Sequence, residues 1–196
     1  MKLIFYTLHI VLISLTVLQH VRAQESENPL ELFSYYIGTW GPTPNDIMVR
    51  KNPKMIDFKV ISFEWGHDKK VIRSTTGIFS DHENNVFSEG IITYNPNTKK
   101  IVWLEYQIKN EILFEGEYHS LGDHKIERVY TVYYAKDYPD IPNPQVKGWT
   151  RKYRETFTPT SDTTINWLTE TWIDGKWIRQ GQNNGDFKAV KDKSSY

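Results

Sequence analysis

Apolar and polar residues alternate along most of this chain, and a two-residue rhythm of that length admits little besides β-structure. Ile56, Phe58 and Val60 alternate with Asp57 and Lys59. Further runs follow over residues 70–79, 86–94, 100–108, 111–119 and 125–134, then over 149–158 and 163–173, with a last short one at 177–180. Turn-forming residues punctuate them. Asn95-Pro96-Asn97-Thr98 carries proline at its second position, which suits a type I turn. Lys109-Asn110 joins two runs as a hairpin, and Asp174-Gly175 is a two-residue hairpin turn of the kind that needs positive φ. This predicts an all-β, antiparallel chain of about 9–10 strands, arranged as an up-and-down barrel or a sandwich.

The segment before the strands differs. Pro29 can open a helix capped by Asn28, and Leu30, Leu32, Phe33, Tyr36 and Ile37 recur at helical spacing. A short helix over 29–37 is expected, running directly into Gly38-Thr39-Trp40. Further upstream, residues 1–23 read as an export signal: Lys2, an apolar run over 3–18, and Val21-Arg22-Ala23 before a cleavage point. The apolar run is shorter than the ~20 residues of a membrane helix. The expectation is a secreted or periplasmic protein with no stable membrane span once the signal is removed. One domain over 24–181 and a polar tail over 182–196 complete the organisation.

Charge and cysteine content narrow the function. Lys2 and Arg22 belong to the signal, which leaves 22 basic against 24 acidic residues in the remainder. That balance argues against a nucleic-acid partner, which requires a basic face. No cysteine is present, which excludes disulfides, thiolate catalysis and cysteine metal sites. His67, His82, His119 and His124 form no HxH or HExxH pair, so no metal site is expected. Neither a Gly-x-Ser-x-Gly elbow nor a glycine-rich phosphate loop occurs, and no cofactor is implied.

Phe33 followed by Gly38-Thr39-Trp40, the Phe63-Glu64-Trp65 segment, the stretch from Glu89-Gly90 through Asn95-Pro96, and Arg154-Glu155-Thr156-Phe157 form an ordered set. This set resembles a bacterial lipocalin-like (calycin) β-barrel domain family of uncharacterised function. The resemblance spans about 30–181. It implies a closed barrel, a short N-terminal helix over one end, and an interior able to hold a small molecule. In calycins the Gly-x-Trp tryptophan packs across the barrel floor against an arginine of the last strand. By that resemblance Gly38, Trp40 and Arg179 are the closure residues.

Several strand-centre charges and aromatics remain as candidates for chemistry. Trp65, Glu89, Trp103, Glu105 and Arg154 are the expected ligand-binding set: carboxylates or a guanidinium to hold a polar group, indoles to cover an apolar one. Parity assigns Arg154 to either face, depending on whether Tyr153 and Phe157 point in or out. The leading expectation is an exported barrel that binds a small hydrophobic or amphipathic molecule. The alternatives are a secreted enzyme using carboxylates at the barrel mouth, and recognition of glycans or proteins through exposed aromatics.

Overall fold

Strands β1 to β10 follow the chain as one antiparallel meander, each paired with the next. They are β1 Gly38–Pro42, β2 Lys59–Trp65, β3 Val71–Phe79, β4 Asn84–Asn95, β5 Lys100–Gln107, β6 Ile112–Ser120, β7 Ile126–Tyr133, β8 Thr150–Ser161, β9 Thr164–Ile173 and β10 Lys176–Arg179. The computed structural model describes residues 28–44, 46–54, 59–79, 84–109, 111–134, 150–179 and 186–191. The expected export signal, Ile56 and Phe58, His82, and the Pro-rich segment near 136–147 lie outside them.

The turn chemistry read from sequence is present in detail. Asn95 Oδ1 accepts from the amides of Asn97 (3.0 Å) and Thr98 (3.3 Å), which reverses the chain between β4 and β5. Asp174 and Gly175 both take positive φ, 49° and 79°, matching a type I′ hairpin between β9 and β10.

The N-terminal helix is tighter and shorter than its spacing predicts. Pro29–Phe33 is a 3-10 helix, and the chain turns through 34–36 into β1. Asn28 caps it, accepting from the Leu30 amide at 3.1 Å. Tightening lets Phe33, Tyr36 and Trp40 all turn under the sheet, where each is fully buried. A short α-helix, α1 (Ile47–Lys51), lies between β1 and β2 and has no clear signature in sequence.

The larger difference lies in the C-terminal tail. Asp186–Lys191 forms strand β11, which pairs antiparallel with β9 on one side and β1 on the other. Six residues of weak local preference become a strand because two neighbours offer backbone hydrogen bonds to them. β9 therefore has β8 along one edge, with β11 and β10 sharing the other.

Residues on one parity of these strands make the core. β7 shows the pattern: Ile126, Arg128, Tyr130 and Val132 are buried, while Glu127, Val129 and Thr131 are not. The 3-10 segment covers the end of this core where the β6–β7 and β8–β9 turns lie. Tyr36 Oη donates to the carbonyls of His124 (2.5 Å) and Phe157 (3.2 Å). Tyr35 Oη donates to the carbonyls of Ser161 and Thr164. Phe33 packs edge-on against Tyr118 with ring centroids 4.9 Å apart.

Candidate functional site

A band of charge crosses the middle of this aromatic core. Arg128 on β7 and Glu155 on β8 are direct cross-strand partners and both are buried. Arg128 donates to Glu155 Oε2 through Nη2 and through Nε (3.1 Å), and its Nη1 reaches the Tyr118 hydroxyl at 3.1 Å. Tyr130 Oη donates to the other carboxylate oxygen of Glu155 at 2.8 Å. The guanidinium lies 3.8 Å from the centroid of Trp103 and 5.0 Å from that of Tyr130. Cation–π contacts of this kind are worth roughly 0.5–2 kcal/mol and are strongest on tryptophan.

Glu105 on β5 is the second buried carboxyl of this band. Ser88 Oγ donates to its Oε1, and Ser74 Oγ lies 3.4 Å from its Oε2. Gly90 stands opposite Glu105 and Ser74 in the ladders. A Cβ at Gly90 would sit 2.6 Å from Ser74 Oγ and 3.1 Å from Glu105 Oε2. Glycine here leaves the room that the Ser74–Glu105 approach occupies.

Burial and charge tune these groups in opposite directions. Desolvation raises the Glu105 carboxyl above its ordinary value; Arg128 and the Ser88 hydrogen bond oppose this without cancelling it. Burial alone would lower Arg128, but Glu155, Tyr118 and Tyr130 outweigh it and hold the guanidinium firmly charged. Burial also pushes the Tyr118 and Tyr130 phenols up, so both stay protonated and able to donate. Trp103 Nε1 and Thr171 Oγ1 are among the buried polar atoms with no hydrogen-bond partner among the described residues.

Exposure rises along the core-facing parity away from the N-terminal plug. On β8 Phe157 and Glu155 are buried, whereas Tyr153 and Arg151 are half-buried. On β5 Trp103 and Glu105 are buried and Gln107 is half-buried. Phe114 and Tyr134 are half-buried at the same end, and the Tyr134 and Tyr153 hydroxyls are 3.2 Å apart.

Of the residues singled out in sequence, the structure brings Trp103 and Glu105 into this band. Glu89 lies exposed on the opposite face. Arg154 is on that outer face too, bonded to Glu170 at 2.6 Å and lying 4.8 Å from the Trp177 ring. Trp65 ends β2, half-buried, with Lys69 Nζ 5.5 Å from its ring. Gly38 and Trp40 are buried in β1, and Trp40 Nε1 donates to the Tyr36 carbonyl at 2.7 Å. Arg179 sits exposed on β10, opposite Glu170. The ladders set Trp40 level with the β8–β9 turn, roughly 20 Å along β9 from that position. The arginine found among stacked rings is Arg128.

Arg128, Glu155, Ser74, Ser88, Tyr118 and Tyr130 were absent from the expected set, although their signal is present in the sequence. Arg128 is in phase with Ile126, Tyr130 and Val132, and Glu155 with Tyr153 and Phe157. A charge on the parity of the apolar residues is the mark of an inward group.

Among the described residues no cluster of three or more His, Asp or Glu could hold a metal ion, and no helix is long and apolar enough to cross a membrane. Comparison with models of known protein families and with curated proteins gives no match.

Proposed function

We propose that the sheet closes as a lipocalin-like barrel and that this exported protein holds a small amphipathic molecule above the Glu105–Arg128–Glu155 band. Closure is supported by the circuit of pairings, β1 through β9, then β11, then back to β1. The 3-10 segment and Trp40 plug one end. The half-buried Phe114, Tyr134 and Tyr153 rim the other, where a ligand would enter.

The observation that carries the reading is the buried charge itself. A buried ion pair is seldom more stabilising than well-packed apolar side chains of the same volume. Three charge-bearing residues, two serines and two tyrosines inside an aromatic core therefore point to a binding role. The unpartnered Trp103 N–H adds a donor for a carbonyl, ether or hydroxyl oxygen. The aromatic walls suit a ring or alkyl body.

Titration with a small neutral aromatic ketone such as 6-propionyl-2-(dimethylamino)naphthalene, whose carbonyl can accept from Trp103 Nε1, read by its fluorescence, tests this. Saturable binding that weakens at least tenfold in Trp103→Phe is expected. No saturable binding, or binding indifferent to Trp103→Phe and to Phe114→Arg at the rim, would overturn it. One observation favours a second reading, acid catalysis: the raised Glu105 carboxyl keeps its proton to higher pH than an ordinary glutamate. Turnover of a hydrolase substrate panel that disappears in Glu105→Gln would support it.

A further inference from the structure

The outer face of the sheet carries a pattern that the interior site does not use. Cross-strand ladders align Glu64, Arg73, Ile91, Leu104 and Glu115 in one row over β2 to β6. All five are exposed, Ile91 at 53% and Leu104 at 52%. Two open grooves, of about 580 and 820 Å³, flank this pair of side chains, which line both. Ile91 and Leu104 thus form an apolar ridge between two hollows. Tyr106 and Ile108 (44% and 52% exposed) extend the apolar surface on one side, and Tyr133 (39%) on the other. Exposed apolar patches of this kind mark interaction surfaces.

The row reads, in order, acidic, basic, apolar, apolar, acidic. One placement of a facing copy matches its apolar pair and its charges together. A two-fold axis parallel to the strands, between β4 and β5, reverses the strand order of the facing copy. Ile91 then meets Leu104, and Arg73 meets Glu115. In the next row Glu89 meets Tyr106, whose hydroxyl can donate to it. An axis perpendicular to the strands would instead set Arg73 against Arg73. Within one chain Arg73 and Glu115 are three strand spacings apart, roughly 14 Å, and cannot pair. Among the described residues Arg73, Glu64 and Glu89 make no ion pair within the chain.

We infer that this face is a homodimer interface, in which the Ile91–Leu104 ridges pack together and Arg73 of each copy pairs with Glu115 of the other. Such an isologous contact needs no second surface and closes on itself. It does not depend on the interior site.

Sedimentation velocity on the protein recovered from expression of the full chain, at concentrations up to about 0.1 mM, tests it. The wild type should sediment as a dimer. Arg73→Glu and Glu115→Arg each place like charges together and should weaken association at least tenfold. The double variant Arg73→Glu with Glu115→Arg should restore it. Leu104→Asp should leave only monomer. These side chains are exposed, so the circular dichroism spectrum should stay near wild type and separate lost association from lost folding, while the melting temperature falls only by the stabilisation that association supplied. A wild type that remains monomeric, or a charge swap that fails to restore the dimer, overturns the inference and leaves the face to a different partner.

Discussion

Arg128 and Glu155 oppose each other across β7 and β8, both buried, with the guanidinium among the rings of Trp103, Tyr130, Phe157 and Trp167. Each is the condition for burying the other. Removing Arg128 leaves a buried carboxylate to which, among the described residues, Tyr130 alone donates.

Arg128→Met should therefore destabilise the fold by about 3–5 kcal/mol. Adding Glu155→Gln should recover part of that loss, because the uncompensated charge goes with it. Arg154→Ala, which breaks a partly exposed outer pair with Glu170, should cost less than about 1 kcal/mol. Urea denaturation of the four proteins measures all three effects. Equal losses for Arg128→Met and Arg154→Ala would contradict the burial argument.

Glu105 predicts a pH dependence with a definite sign. Its folded pKa lies above the ordinary carboxyl value of 4.5, so the folded state binds more protons than the unfolded state in the window just above that value. The protonated carboxyl's contribution to stability is fully present below the unfolded value. It is lost as pH rises through the raised folded value, with a slope of at most about 1.4 kcal/mol per pH unit for one proton. Glu105→Gln should flatten the stability profile over that interval and gain on the wild type above it. Unfolding free energies measured across the acid-to-neutral range, with identical slopes in both proteins, would remove Glu105 as the cause.

Gly90 and Ser74 should be energetically coupled. Gly90→Ala drives a methyl group toward Ser74 Oγ and Glu105 and should cost about 1–3 kcal/mol as overpacking. Ser74→Ala removes the nearest atom, so the double variant should lose less than the sum of the singles. A double-mutant cycle reads this directly, and strict additivity would count against the contact.

The plug should be sensitive to one hydroxyl. Tyr36→Phe removes the donor that reaches the carbonyls of His124 and Phe157 while keeping the ring. A loss of about 1–3 kcal/mol is expected, since both acceptors sit at a covered end. Hydrogen exchange should rise first in the β6–β7 turn around His124 and along β8 around Phe157, where those carbonyls lie. A uniform rise across the sheet would argue against a local anchoring role.

The period-two pattern, with its Asn-Pro and Asp-Gly turns, determined on its own that the chain is an antiparallel meander, and it placed the strands from β3 to β10 to within a few residues. Those signals are local: alternation fixes which residues share a face, and turn residues fix where the chain reverses. Parity also held the information that Glu105, Arg128 and Glu155 point the same way as the apolar residues around them.

Only the tertiary structure decided which parity is inside, because Tyr153 and Phe157 on one side of β8 and Arg154 with its partners on the other are comparably bulky. It placed Arg154 outside, on Glu170, and set Arg128 among the rings. It also made a strand of Asp186–Lys191, whose partners β9 and β1 come from far earlier in the chain. Pairing, closure of a network and the meeting of Ser74, Gly90 and Glu105 depend on contacts between residues distant in sequence, and no local pattern carries their energy.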